Sequence, residues 1–289
     1  MIFAVKRLRP VAAVALVAAL MAVTLICPQI LKAFAEDNSE VCLPIVMYHQ
    51  LTEKSSAAGK YVLMLEQFEK DLIYLKEKGY STVTATQVID YVCSKGTLPQ
   101  KPIMITFDDG CETVYALAKP LLEKYGFSAV AFIVGTWADF YSGIDDHNLN
   151  YSNLTWEEIA ELSAGKTVEI QSHSYDLHIN NAGRSGAGMK KSETKSEYAE
   201  FLTLDTAKMK EKMLEHTGKA PVAFAYPYGS FADCSDEILA SNGIKMTFIC
   251  REKVSKIKKA EPASLYGLGR YNRANGISSE SFFEKMGII

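Results

Sequence analysis

Short apolar segments alternate along the chain with longer segments of helical periodicity. Ile103 to Phe107 is apolar at nearly every position, which predicts a strand covered on both faces, as in a parallel sheet with helices outside it. The same reasoning predicts further strands at 44–48, 129–134, 168–171, 222–226 and 245–249, and helices at 66–78, 86–93, 113–125, 156–163, 197–216 and 236–241. This alternation predicts a parallel α/β architecture with its site at the C-terminal ends of the strands.

Length and charge narrow the class of protein. The 289 residues, 48% hydrophobic and 22% charged, suffice for one large domain of α/β barrel size. Four basic residues precede the first acidic one, so residues 36–289 hold 27 basic and 34 acidic residues, a net charge of −7. This acidic balance argues against a nucleic-acid partner.

The start of the chain has the pattern of a targeting segment. Three basic residues before position 10 precede an apolar run at 11–26, and Ala-Phe-Ala at 33–35 forms an A-x-A site. We expect a secretory signal peptide, residues 1–35, and a catalytic domain, residues 36–289. An uncleaved membrane anchor is the alternative, since the 16-residue run is only slightly shorter than the roughly 17 to 25 residues of a span. Either way the domain is expected to be secreted or on the extracellular face of the membrane or cell wall.

Cysteines and two long connections complete the expectations about organisation. Five cysteines follow residue 35, with no C-x-x-C pair, which favours mostly buried thiols and leaves any pairing open. Residues 136–153 are expected to be irregular and to form one wall of a groove, with Trp137 in it and His147 as a plain loop residue. Residues 180–195, rich in glycine and basic residues, are expected to be a mobile, solvated loop.

Polar side chains follow four of the predicted strands. His49 follows the first, Asp108-Asp109-Gly110 the Ile103 strand, residues 172–178 the Val168 strand, and Pro-Tyr-Gly at 227–229 the Val222 strand. Adjacent carboxylates repel each other, and a bound cation relieves that cost. His173 and His178 are five apart and meet only if the chain turns between them.

One aspartate and two histidines leave positions open for water and substrate, as a catalytic zinc-type site requires. Two alternatives remain for the separate motifs. Asp108 and Asp109 could belong to a solvated Asp-Gly turn, while His173 could be a satisfied core histidine and His178 a surface one. The combination of motifs at corresponding positions of one architecture favours the metal site.

Three segments carry a resemblance to a known family. Thr-Phe-Asp-Asp-Gly at 106–110, Ser-His-Ser through His178 at 172–178, and Phe-Ala-Tyr-Pro-Tyr-Gly at 224–229 resemble the motifs of the polysaccharide deacetylases, the NodB-homology carbohydrate esterases. Met-Tyr-His at 47–49 and Asp-Leu-His at 176–178 are most similar to the branch that deacetylates poly-β-1,6-N-acetylglucosamine. The resemblance implies a single-domain, deformed (β/α) barrel and a divalent metal, most often Zn²⁺.

The resemblance also implies roles for individual residues. Asp109, His173 and His178 correspond to the metal ligands and Asp108 to the general base. The Tyr228 backbone N–H corresponds to the oxyanion donor. The sequence has no histidine after His216 to act as the usual acid, so His49 is expected to protonate the sugar amine.

The expected substrate-binding residues are followed by one difference between this sequence and the family's usual motif. Pro227, Tyr228 and Arg270 are expected at the substrate-binding side. The family usually has an arginine two residues before the motif's proline to orient the catalytic aspartate, and Ala225 stands there. Arg270 or Arg273 could supply that contact, and surface salt bridges are the alternative for both.

The expected activity is metal-dependent N-deacetylation of an N-acetylglucosamine-containing polysaccharide, with release of acetate. Three alternatives remain open: a peptidoglycan deacetylase, an esterase for O-acetyl groups such as those on xylan, and a catalytically silent glycan-binding relative. The expected partner is therefore an acetylated polysaccharide, either an N-acetylglucosamine polymer or peptidoglycan. Contact with a membrane is expected only through an uncleaved N-terminal segment.

Overall fold

The computed structural model describes residues 40–144, 146–181 and 183–288. The expected signal segment, 1–35, lies outside these residues. From Val41 onward the chain forms one compact unit. None of the helices in the described ranges combines the length and the apolar character that a membrane span requires.

Eight parallel strands form the main sheet. In chain order they are β1 (Ile45–Tyr48), β2 (Pro102–Phe107), β3 (Ala129–Ile133), β4 (Val168–Ser172), β5 (Ala223–Ala225), β6 (Met246–Ile249), β7 (Leu268–Gly269) and β8 (Tyr271–Asn272). Their order across the sheet is β7-β6-β5-β4-β3-β2-β1-β8, and Ser81–Thr82 adds a short parallel pairing to β2.

Arg270 stands at the seam of this sheet. β7 pairs with β6 and β8 pairs with β1, so the two edges of the sheet are consecutive in sequence and separated only by Arg270. The sheet therefore curls into a nearly closed barrel. The predicted deformed (β/α) barrel is confirmed, and it is a single domain.

The strands bury side chains on both faces. On β2, Met104 belongs to a cluster inside the barrel with Val130, Phe132 and Phe248. Ile103, Ile105 and Phe107 belong to a second cluster between the sheet and the helices. Because side chains alternate along a strand, a strand buried on both faces is apolar throughout. This explains the continuous apolar run that the sequence shows.

Eight helices surround the barrel within the described residues. They are α1 (Leu65–Glu77), α2 (Ala85–Val92), α3 (Lys119–Tyr125), α4 (Gly135–Gly143), α5 (Trp156–Ala164), α6 (Lys195–Thr217), α7 (Ser235–Ser241) and α8 (Ser279–Lys285). Short 3₁₀ turns lie at Ser55–Ala57, Pro227–Gly229 and Pro262–Leu265. Further short strands pair as Glu40–Leu43 with Ser255–Lys258, Gln50–Thr52 with Val62–Met64, and Asn180–Asn181 with Arg184–Ser185.

The helix expected at 113–125 is present, but its first part, Val114–Ala118, is π-helical and continues directly into α3. Other local expectations were wrong. The stretch at 136–153 begins with α4 rather than being irregular.

The segment expected to be solvated, 180–195, is packed at 184–190, where Arg184 is buried and its guanidinium lies 2.5 Å from a Glu193 carboxylate oxygen, while 191, 192, 194 and 195 are exposed as expected. All five cysteines of the described residues are free, but Cys42, Cys93 and Cys250 are exposed rather than buried. These three lie on a short strand outside the main sheet, at the end of α2 and after β6, and none belongs to a hydrophobic cluster of the described residues.

Candidate active site

A cleft of about 630 Å³ opens where the barrel strands end. It is lined by Met47, His49, Lys60, Tyr61, Asp108, Asp109, His173, His178, Tyr228, Cys250, Glu252 and Asn272. The polar residues that follow four different strands in the sequence thus meet in one place, as the alternation of strands and helices predicts.

Asp108 and Asp109 enter the cleft for different reasons. Met104 and Thr106 face the barrel interior, and Asp108 continues this alternation at the end of β2. Strict alternation would turn Asp109 outward, but its backbone is left-handed, with φ of 70°. Gly110 follows with φ of 67°, a conformation that glycine adopts without strain. This turn directs both carboxylates toward the cleft.

Asp109, His173 and His178 form the first candidate metal centre. Asp109 Oδ1 lies 3.4 Å from His173 Nε2 and 3.1 Å from His178 Nε2. His173 Nδ1 donates to the Ala225 carbonyl oxygen at 2.8 Å, which leaves the Nε2 lone pair facing the cleft. Two imidazole nitrogens and one carboxylate are a donor set that suits a catalytic divalent metal, so these residues fit the metal expected for the site.

Aromatic side chains fix the position of His178. Its Nδ1 lies 3.1 Å from the Tyr228 hydroxyl oxygen. Its ring centroid lies 4.7 Å from that of Trp137 and 4.5 Å from that of Tyr228. Trp137 therefore contacts the site, as expected, but from the first turn of α4. The Tyr228 hydroxyl contact was not anticipated, because residues 178 and 228 lie on different connections.

Asp205 holds the turn between the two histidines. Its buried carboxylate accepts hydrogen bonds from the backbone amides of Tyr175 at 2.9 Å and Asp176 at 2.7 Å. Burial raises the pKa of Asp205 to about 6, although both amide bonds oppose that shift. The sequence gives no signal for this role, because Asp205 is one acid among many in the long helix α6.

Arg270 orients Asp108. Its two terminal nitrogens donate to the two Asp108 carboxylate oxygens at 2.5 and 2.7 Å. The side chain has 0% exposure, so it acts through Asp108 rather than at the substrate-binding side where it was expected. Arg273 instead pairs with buried Asp71 outside the barrel, at 2.8 and 3.0 Å. Neither arginine forms the surface salt bridge considered as the alternative.

Charge and burial act in opposite directions on two groups of the cleft. Burial alone would raise the pKa of Asp108, but the charge of Arg270 holds it below its ordinary value. Burial lowers the pKa of His49, with Asp108 and Asp109 opposing this shift. With its lowered pKa Asp108 is ionised near neutral pH, while a His49 of lowered pKa is largely neutral and would have to gain a proton before donating one.

The Pro-Tyr-Gly turn presents Tyr228. Pro227 is buried beneath the turn, so it shapes the turn and does not line the cleft as a substrate-binding residue would. Tyr228 has left-handed backbone dihedrals, φ 58° and ψ 9°, and its half-exposed ring faces the cleft. Tyr61, which directly precedes the short strand Val62–Met64, also lines the cleft and packs against His49 with ring centroids 4.8 Å apart. Tyr61 was missed because it follows an unremarkable polar loop.

Comparisons with known proteins agree with this geometry. The polysaccharide deacetylase family model matches residues 95–247, slightly more than half of the chain. The poly-β-1,6-N-acetyl-D-glucosamine N-deacetylase of Escherichia coli K12 is 24% identical over 262 residues, which cover 83% of this chain. The Staphylococcus aureus MSSA476 protein of the same name is 28% identical over 199 residues, 69% of this chain.

The chain spans only 38% of the E. coli protein's own length and 64% of the S. aureus protein's. A solved de-N-acetylase from Aggregatibacter actinomycetemcomitans superposes with a TM-score of 0.69 at 26% identity, covering 85% of this chain and 98% of that one.

Proposed function

Since the chain belongs to the polysaccharide deacetylase family, we propose that it is a hydrolase that removes N-acetyl groups from a polysaccharide containing N-acetylglucosamine. The convergence of Asp109, His173 and His178 beside the Arg270-bound Asp108 carries this proposal. The names of its relatives support poly-β-1,6-N-acetyl-D-glucosamine as the substrate class.

Asp109, His173 and His178 would hold the divalent metal, and their mixed nitrogen and oxygen donors favour zinc. A bound ion would polarise the acetyl carbonyl and the attacking water. The protein's own contribution begins with His173, whose Nδ1 bond to Ala225 fixes the tautomer that presents Nε2. The contact between the Tyr228 hydroxyl and His178 Nδ1 likewise holds the His178 ring in place, with Nε2 toward Asp109.

Asp108 is the proposed general base. Its carboxylate lines the cleft next to Asp109, and Arg270 fixes its plane through two hydrogen bonds. An ionised and oriented carboxylate can take the proton of the attacking water. The backbone N–H of Tyr228 is the proposed donor to the oxygen that becomes negative during the attack.

His49 is the proposed acid that protonates the departing sugar amine. It lines the same cleft as Asp108, and its buried Nδ1 has no hydrogen-bond partner among the described residues. Tyr61 and Tyr228, each about half exposed, offer aromatic surfaces at the mouth of the cleft. Such surfaces suit the apolar faces of sugar rings.

Acetate release tests the proposed function. The purified protein is assayed on poly-β-1,6-N-acetylglucosamine, peptidoglycan and acetylated xylan, before and after metal removal by a chelator and re-addition of zinc. We expect release from the first polymer, its loss with the chelator and its return with zinc. Preferential release of acetate from peptidoglycan or xylan would identify that polymer as the substrate instead. Binding to a polymer without release of acetate from any of them would identify a silent glycan-binding protein.

Substrates with different leaving groups test the proposed role of His49. We expect His49→Ala to lower turnover on an acetamido sugar by ~10²-fold or more, because general acid–base catalysis contributes that much. The defect should shrink on an aryl acetate, whose leaving group needs no proton, while metal content stays unchanged. Equal losses on both substrates would make His49 a positioning or structural residue.

An extracellular location is part of the proposal. It rests on the basic start, the apolar run and the Ala-Phe-Ala site of residues 1–35. N-terminal sequencing of the exported protein should begin at Glu36. A chain that keeps residues before Ala33 and sediments with membranes would support the anchor instead.

A further inference from the structure

A second group of metal-ligating side chains lies outside the cleft. Glu112, His147 and Glu158 each offer one ligand atom, and these atoms lie within 4.8 Å of one another. His147 Nδ1 is 2.7 Å from Glu112 Oε1 and 3.7 Å from Glu158 Oε1. His147, expected to be a plain loop residue, is therefore held between two carboxylates.

Glu112 provides a separate indication that this group of side chains suits a cation. Its side chain is only 5% exposed, and its Oε2 atom is buried without a hydrogen-bond partner among the described residues. A buried carboxylate oxygen without a partner is costly. Burial raises the pKa of Glu112, the hydrogen bond with His147 opposes this shift, and the nearby Glu158 carboxylate adds to it.

Glu158 is oriented by hydrogen bonds so that one of its carboxylate oxygens faces His147. Its Oε2 accepts hydrogen bonds from the backbone amide and the hydroxyl of Thr155, at 2.9 and 3.0 Å, as the capping box of α5. Its Oε1 is the atom that faces His147. A carboxylate with one oxygen fixed by hydrogen bonds and the other directed at a shared point resembles a ligand oriented by its surroundings.

We propose that Glu112, His147 and Glu158 bind a second divalent cation of the zinc type. Tetrahedral zinc with bonds of 2.0–2.2 Å separates its ligand atoms by about 3.3 Å. The observed distances of 2.7 and 3.7 Å lie on either side of that value. Coordination would require the His147 to Glu112 contact to open slightly as the ion takes the place of the proton between these two atoms.

The site would stabilise the connection that supports Asp109. Glu112 lies three residues after Asp109, and its amide donates to the Ser152 carbonyl. From the same connection, Asn153 Nδ2 donates to the Asp109 carbonyl oxygen at 2.7 Å. An ion bound by Glu112, His147 and Glu158 would join this connection to the start of α5. Its role is structural and independent of the proposed reaction.

Metal stoichiometry tests the proposal on the full-length chain. After equilibrium dialysis against Zn²⁺, we expect two equivalents in the wild type and one in His178→Ala, which disables the cleft site. His147→Ala added to His178→Ala should weaken the remaining zinc site at least ~10-fold, because one of its three ligands is lost. His216→Ala is the matched control, a nearby histidine outside the group, and should leave one equivalent.

Two further measurements keep the outcome clear. His147 is half exposed, so His147→Ala should fold, and circular dichroism of the metal-free protein checks this. Zinc should raise the Tm of His178→Ala, and Glu112→Gln should abolish that increase. One equivalent in the wild type, or unchanged zinc affinity in both the His147→Ala and Glu112→Gln backgrounds, would overturn the second site. Neither result would affect the cleft site, whose loss His178→Ala reports separately.

Discussion

Two buried arginines that lie three residues apart on one extended segment, Arg270 and Arg273, each pair with an aspartate, and the two pairs have different roles. Arg270 and Arg273 both have side chains with 0% exposure, and both bind an aspartate through two nitrogens. Residues three apart on an extended chain face opposite sides. Arg270 therefore points into the barrel toward Asp108, and Arg273 points outward toward Asp71 on α1.

The surroundings of the two aspartates differ. Asp71 also accepts hydrogen bonds from the Tyr48 hydroxyl at 3.0 Å and the Ser279 hydroxyl at 2.7 Å, so the outer pair connects β1, α1 and α8. Asp108 shares its carboxylate between Arg270 and the cleft. The same kind of ion pair thus connects elements of the fold where other donors enclose it, and orients the proposed base where one side of the carboxylate faces the cleft.

Replacing the two aspartates should separate these roles most strongly. We expect Asp108→Asn to lower kcat by ~10²- to 10⁴-fold with the metal retained, because the base is lost and the ligands are untouched. Asp71→Asn should leave kcat of the folded protein nearly unchanged. Steady-state kinetics and metal analysis of both variants measure this. Comparable kcat losses in the two variants would mean that Asp108 contributes only to the fold.

Replacing the outer arginine should act on stability. Arg273→Met leaves the Asp71 charge buried without its partner and should lower the free energy of unfolding by about 3–5 kcal/mol. Urea denaturation measures the loss, and adding Asp71→Asn should restore part of it by removing the charge. A double variant no more stable than Arg273→Met would refute this explanation.

Replacing the inner arginine should act on turnover instead. Arg270→Met should lower kcat with little change in KM, since Arg270 does not reach the cleft.

A third buried carboxylate, without an arginine, should give the smallest effect. The pKa of Asp205, about 6, exceeds that of an unfolded aspartate, so the native state keeps a proton that the unfolded chain releases between about pH 4 and 6. This group therefore makes the protein less stable as the pH rises through that window. Asp205→Asn should flatten that part of the Tm profile, and exposed Asp233→Asn should not. An unchanged profile would contradict the raised pKa.

The sequence was most informative where local patterns decide the structure. The apolar run of β2 predicts a strand buried on both faces, and its end predicts the position of Asp108 and Asp109. α4 was missed because Gly135–Gly143 has glycine at both ends and mixes aromatic and polar residues without one clear apolar face. β7 and β8 have two residues each, too few for a periodic signal.

The choice between Arg270 and Arg273 was beyond local reasoning. Both arginines lie in one short segment, and which one faces Asp108 depends on how that segment crosses the barrel seam. The contacts of Asp205 and His147 are likewise decided by tertiary packing. Tertiary contacts of this kind have no local signature in a single sequence.

The barrel seam also orders events during synthesis. Asp108 leaves the ribosome 162 residues before Arg270, and domains form as their chains emerge from the N-terminus. The guanidinium that orients the base is delivered by the same residue that separates β7 from β8 and thereby joins the edges of the barrel. A nascent or C-terminally shortened chain without that segment would hold the proposed ligands but lack the arginine that orients the proposed base. The proposed hydrolytic competence and the completion of the barrel therefore depend on the same late segment of the chain.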